Sequence, residues 1–165
     1  MNKVTTWYLE MHSPAGLRES PAPEHLDVVE VVLPQYRFNR FLYQLVGEDW
    51  QWRDKLSWSD AQWRAFVERE NLRTWVAYTE GTPAGYYELD QAADGSTEIA
   101  YFGLAPGFIG KGCGAFLLSH AIKSAWAWPG TKRVWVHTCT LDHPGALKNY
   151  QARGMEIYRE KTNNQ

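Results

Sequence analysis

Apolar and polar residues alternate along Thr5-Thr-Trp-Tyr-Leu9 as they do in a strand, and Pro21-Ala-Pro23 marks a loop before a second strand, Asp27 to Leu33, which Pro34 ends. From Tyr36 to Val46 the period lengthens. Phe38, Phe41, Leu42, Leu45 and Val46 share one helical face, and Gly47 stands where a C-terminal cap belongs. Ser59-Asp-Ala-Gln62 is a capping-box pattern opening a second helix, with Trp63, Phe66 and Val67 at helical spacing.

The centre of the chain reads as a strand meander. Arg73 to Tyr78 turns through Glu80–Gly85 into Gly85–Leu89, then through Asp94-Gly95 into a strand beginning near Glu98. The turn residues suit antiparallel hairpins. A helix follows with Leu117, Leu118, Ala121, Ile122 and Ala125 on one side, stopping at Pro129-Gly130. Arg133 to Leu141 is then a strand parallel to the Glu98 strand, because a helical crossover joins them. A short helix from Pro144 to Arg153 closes at Gly154, and Met155 to Arg159 is a last edge strand. The polar segment Lys161–Gln165 is expected to fray.

Composition narrows the function classes. The 165 residues, 44% hydrophobic and 15% aromatic, suffice for one buried core and are short for two domains. Lys and Arg number 17 against 19 Asp and Glu, with no basic run, so nucleic acid is not an expected partner. No apolar stretch reaches signal-peptide or membrane-spanning length, which makes the expected location cytoplasmic, away from membrane. Cys113 and Cys139 have no metal-ligand spacing, and His137 and His143 lack a third ligand, so neither a disulfide framework nor a metal is expected.

The candidate chemistry lies where Glu98-Ile-Ala-Tyr-Phe-Gly-Leu-Ala-Pro106 runs into Gly107-Phe-Ile-Gly-Lys-Gly-Cys-Gly114 and then a helix. Glycines without Cβ atoms let backbone amides approach a ligand, and a helix N-terminus carries about half a positive charge. The segment is an anion site suited to a phosphorylated cofactor. It is not a P-loop, because Lys111 is followed by Gly112 and Cys113. Nor does it carry the G-x-G-x-x-G of a dinucleotide fold, and Asp142 lies too far downstream for the acidic partner.

The segment Ile109-Gly-Lys-Gly112-Cys-Gly114 resembles the Gln/Arg-x-x-Gly-x-Gly/Ala signature of the Gcn5-related N-acetyltransferases (GNAT), with Ile109 in place of Gln or Arg. A second motif of that family, Ala then Tyr-x-x-x-Gly-Phe, matches Ala146, Tyr150, Gly154 and Met155, with His143 where Asn is usual. The resemblance implies an α/β fold, with a mixed, mostly antiparallel central sheet, a parallel splayed strand pair and flanking helices. It implies one domain over residues 1–165, with a motif-bearing core at 73–158 and acceptor-side strands and helices at 3–72. It also implies acetyl-CoA as co-substrate, with no metal.

By the same resemblance, main-chain groups of Phe102, Gly103 and Leu104 contact the pantetheine, and the Leu104 amide polarises the thioester. The loop of Ile109, Gly110, Lys111, Gly112, Cys113, Gly114 and Ala115 holds the pyrophosphate, Cys113 facing the core, while His143 touches the pantetheine. Ala105-Pro106 is expected to stop the strand ladder and let the parallel pair splay. Glu98 is the candidate base that takes the proton of the acceptor ammonium, the other reading being a solvated residue leading out of the turn. Tyr150 is the candidate acid for the departing thiolate, the other reading being a packing residue. The connection Glu48–Asp54, with Asp49, Trp50 and Trp52, is the candidate acceptor pocket, its carboxylates and indoles suiting a small cationic amine. A peptide or protein amine, or a non-catalytic acyl-CoA-binding module, are the alternatives, and the assembly is either monomer or homodimer.

Overall fold

A computed structural model describes residues 3–164. Strands β1 (Lys3–Met11) and β2 (Leu26–Glu30) precede α1 (Tyr36–Gly47), a one-turn 3-10 helix (Glu48–Trp50) and α2 (Asp60–Val67). Then come β3 (Leu72–Thr79), β4 (Thr82–Gln91), β5 (Ser96–Leu104), α3 (Cys113–Ala127), β6 (Arg133–Cys139), α4 (Ala146–Ala152) and β7 (Glu156–Asn164). The strands form one seven-stranded sheet in the order β2-β3-β4-β5-β6-β1-β7. Every neighbouring pair is antiparallel except β5 and β6. This is the mixed α/β arrangement expected from the sequence.

Local chemistry accounts for the elements. Glu80 and Gly81 both take left-handed φ, 49° and 84°, which matches the two-residue hairpin between β3 and β4. Ser59 Oγ accepts from the Gln62 amide at 3.2 Å and Gln62 Oε1 accepts from the Ser59 amide at 2.9 Å, so the capping box starts α2. On one face of the sheet, α3 buries Leu117, Leu118, Ala121, Ile122 and Ala125 against Leu9, Tyr87, Leu89, Val134 and Val136. Each of its large apolar side chains contributes about 1.5–3 kcal/mol by leaving water. Alternate residues of β3 and β4 face the other side, where Val76 and Tyr86 pack with Leu42 and Val46 of α1.

Several sequence expectations are corrected. β2 ends at Glu30; the Val31 amide still reaches Thr74 O at 2.8 Å, but Val32 and Leu33 are exposed as the chain leaves the sheet edge toward α1. Gly47 is not a left-handed cap. Its φ is −85°, and a Cβ there would lie 2.5 Å from the Trp52 ring, so packing of an indole, rather than chain reversal, is what glycine serves. The left-handed residue is Gln51, with φ 60°. Lys161–Asn164 is not frayed but continues β7, paired with β1 from Thr6↔Lys161 to Lys3↔Asn164; Gln165 lies outside the described residues.

Candidate active site

The parallel pair is short. β5 and β6 register only as Ser96↔Arg133, Thr97↔Val134 and Glu98↔Trp135, after which both strands continue without pairing to each other. The expectation that Ala105-Pro106 causes this splay is corrected by the register. The strands part at Glu98, and the Ala105 amide still donates to Ala84 O at 2.8 Å. The cause lies nearer. β4 pairs Glu88 with Tyr101 and Leu89 with Ile99, so Ala100 is an extra residue in β5, and a bulge bends a strand away from its partner.

The opening is a cavity of about 830 Å³, and Glu98 sits where the two strands part. Along β5 the cavity is lined by Phe102, Gly103 and Leu104. Amides on a strand point alternately to its two sides, and that of Ala105 turns toward β4, so the Leu104 N–H turns to the side from which β6 has withdrawn. At the far end are Ile109, Gly110, Gly112, Gly114 and Ala115, heading α3. Gly110 and Gly112 have φ of 84° and 80°, and a Cβ on either would project into open space. Those two glycines leave room for a phosphorylated group at a 15-residue helix's positive end, so the loop fits the diphosphate of acetyl-CoA. Gly114 is closer packed: its carbonyl accepts from Asn149 Nδ2 at 3.2 Å, which ties α4 to α3.

Two loop residues do not line the cavity. Lys111 is exposed, and the Cys113 side chain is buried in the core beneath α3. Cys139, half-buried, does line it. Tyr150 is buried on α4 with its ring 6.2 Å from that of Phe102, and burial, reinforced by Asp142, raises its phenol well above the ordinary value. It is therefore a protonated donor at neutral pH. Asp142 in turn accepts from Thr138 Oγ1 at 2.5 Å and from the Cys139 amide at 3.2 Å, which fixes the end of β6.

The Glu98 carboxyl is pushed up to about 7, first by burial and further by Asp90, against an opposing pull from Lys55. Its Oε2 lies 3.7 Å from His137 Nε2. A carboxyl poised near neutrality in a cavity is suited to proton transfer.

The connection between α1 and α2 supplies the other wall. Trp50 lines the cavity and meets the His143 ring edge to face at 5.2 Å, while His143 Nδ1 accepts from the Gly145 amide at 2.9 Å. Trp52 lines the cavity too, yet it is also a packing wedge against Tyr43, Tyr86 and Tyr101. Asp49 is exposed and off the cavity, because the 3-10 turn carries it outward. The carboxylate that reaches the wall is Asp54, which accepts from Tyr101 Oη at 3.2 Å. Asp54 lies within the connection expected to form the acceptor pocket, whereas Lys55, Trp58, Phe66, Asp90 and Asn149 were not expected to line it; of these only Asn149 left a local signal, beside Tyr150 in the second motif.

A mixed sheet that parts at its single parallel pair, above a glycine-headed helix, is the architecture of acetyltransferases. The model of the acetyltransferase (GNAT) family matches residues 39–155, and the chain belongs to that family. Among solved structures, a GCN5-related N-acetyltransferase from Kribbella flavida is similar at 19% identity and TM-score 0.70, over 96% of this chain and 56% of that one. The chain thus spans little more than half the length of that neighbour. An IAA acetyltransferase from Bacillus cereus matches at 26% identity and TM-score 0.60, over 81% of this chain and 79% of that one. An aminoglycoside acetyltransferase from an uncultured soil metagenomic sample, in complex with trehalose, matches at 15% identity and TM-score 0.64, over 78% and 87%. No curated protein matches the sequence significantly.

Proposed function

We propose that the protein transfers the acetyl group of acetyl-CoA to the primary amine of a small cationic molecule, by direct attack within a ternary complex. The observation that carries this reading is the parting of β5 and β6 at Glu98, which puts Glu98, the Leu104 backbone and Tyr150 on one cavity ending at the glycine loop. Acetyl-CoA, when bound, supplies an activated acyl group as a thioester. The glycine amides and the α3 N-terminus hold its diphosphate, and the backbone of Phe102 to Leu104 and His143 accompany its pantetheine.

The residues divide the remaining work. Glu98, about half ionised near pH 7, takes a proton from the acceptor ammonium, which has an ordinary pKa near 10.4 if it resembles lysine. The Leu104 N–H stabilises charge developing on the carbonyl oxygen, a contribution of a few kcal/mol. Tyr150 donates to the leaving sulfur. Asp54 and Asp90, with the indoles of Trp50 and Trp52, favour a cation at the acceptor end, which ranks a small amine ahead of a protein lysine. Ile109, lacking the hydrogen bonds of Gln or Arg, weakens the hold on the diphosphate; the one other reading retained is a binding module without turnover.

Incubating amines and peptides with acetyl-CoA while recording thiol release tests the proposal. Acceptor-dependent release is expected with cationic small amines. Binding of acetyl-CoA without release for any amine or peptide would leave the binding module.

A further inference from the structure

Lys55 is unusual among the charged residues. It is 4% exposed, lines the cavity, and forms no salt bridge among the described residues. Its ammonium instead lies over aromatic faces, 3.3 Å from the ring centroid of Phe66, 4.1 Å from Tyr101, 4.9 Å from Trp58 and 5.5 Å from Trp63. Its backbone is pinned as well, the Lys55 amide donating to Tyr43 Oη at 3.2 Å. Rings from β5, α2 and the connection before it therefore form a box of the kind that binds alkylammonium groups, and the chain fills it from within.

We propose that Lys55 determines acceptor specificity: its ammonium is the built-in occupant of a four-ring ammonium box at the acceptor end of the cavity, and denies that box to quaternary ammonium groups and to the second ammonium of a diamine. This deepens the proposed function and rests on its placement of the acceptor. The surrounding charge supports occupancy by a cation, since Asp54, Asp90 and Glu98 line the same cavity and Glu88 is buried in the sheet beside it. Arg69 also lies against one of these rings, its guanidinium 4.5 Å from the Phe66 centroid while it is bound to Asp90 at 3.1 Å, so Lys55 is the cation that meets all four. With the box filled, the ammonium site open to an acceptor is the one beside Glu98, and the substrate class narrows to molecules that present one cationic amine there.

The test uses tetramethylammonium, which binds aromatic boxes and cannot be acetylated. Intrinsic tryptophan fluorescence is titrated at constant ionic strength, with sodium as the control cation, in the wild type, Lys55→Ala and Lys55→Met. Lys55→Ala should bind with a dissociation constant at least tenfold below that of the wild type, while Lys55→Met, whose apolar stem refills the box, should resemble the wild type. Equal affinity in wild type and Lys55→Ala, or no binding by Lys55→Ala, would overturn the proposal. Should Lys55→Ala fail to fold, the wild type decides by NMR. The Lys55 ε-methylene protons should be shifted upfield by the ring faces and stay so in saturating 1,4-diaminobutane; their return to ordinary positions would show that a diamine displaces the side chain and would overturn it equally. Neither readout needs turnover, so failure to acetylate any amine would strike the proposed function and leave this inference standing.

Discussion

Trp50 and His143 meet edge to face at 5.2 Å, joining the turn after α1 to the loop before α4 across the cavity. Residues assigned to acceptor and to cofactor by sequence thus touch. Trp50→Ala should therefore raise the Michaelis constants for acceptor and acetyl-CoA together, with the aromatic pair itself worth roughly 0.5–1.5 kcal/mol. Asp54→Asn should raise that of the acceptor alone, and Asp49→Asn neither. Steady-state kinetics with both substrates varied checks all three.

Tyr150→Phe removes one hydroxyl from a buried ring and keeps its packing against Phe102. Turnover should fall roughly 10²- to 10⁴-fold while acetyl-CoA binding by calorimetry is preserved. Equal losses in binding and rate would make the ring, not the donor, the important part.

Glu98 gives two pH signatures. As a base it must be ionised, so activity should rise through pH 7, and Glu98→Gln should lose that limb and be partly rescued at high pH. Stability runs the other way. The folded carboxyl binds its proton more tightly than the unfolded one, so the fold loses stability as pH rises from about 4.5 to about 7. Glu98→Gln should then melt above the wild type by a margin that grows across that window.

Lys55 titrates in the opposite sense. Burial lowers its pKa from 10.5 to about 8, opposed mainly by Glu88, so the unfolded chain holds the proton more tightly and the fold gains stability as pH rises from about 8 to about 10.5. Lys55→Met should melt higher than the wild type at pH 7, and the difference should shrink over that window.

Gly112→Val tests the loop. A side chain would project into the open space proposed for the diphosphate, and φ of 80° adds strain of about 1–3 kcal/mol. Acetyl-CoA at a hundredfold over its dissociation constant should stabilise the wild type by about 2.7 kcal/mol, and the variant not at all. NAD and ATP should shift neither protein.

What the sequence made legible was whatever local rules control. The glycine loop and α3, the Ser59–Gln62 box and the hairpins depend on neighbours within a few positions, and all are present, although the first hairpin turns at Glu80-Gly81 alone and Thr82–Gly85, expected in the turn, already pair in β4. The parting of β5 and β6 follows from a register shift at Ala100, an alanine like any other in sequence. Lys55 is buried by rings on three separate segments, so nothing in its own neighbourhood distinguishes it from a solvated lysine. The polar tail pairs because β1 presents an edge to it, a long-range contact that outweighs composition.

The three residue pairs between β5 and β6 make the sheet two ribbons, β2-β3-β4-β5 and β6-β1-β7, stitched along a short seam with α3 lying across it. The cavity is the unstitched length of that seam. A ligand laid along it acts as a cross-brace, bonded to both ribbons where they lack each other. Amide exchange should therefore slow on acetyl-CoA binding in Phe102–Leu104 and in His137–Cys139 together, though the two segments share no hydrogen-bonded ladder.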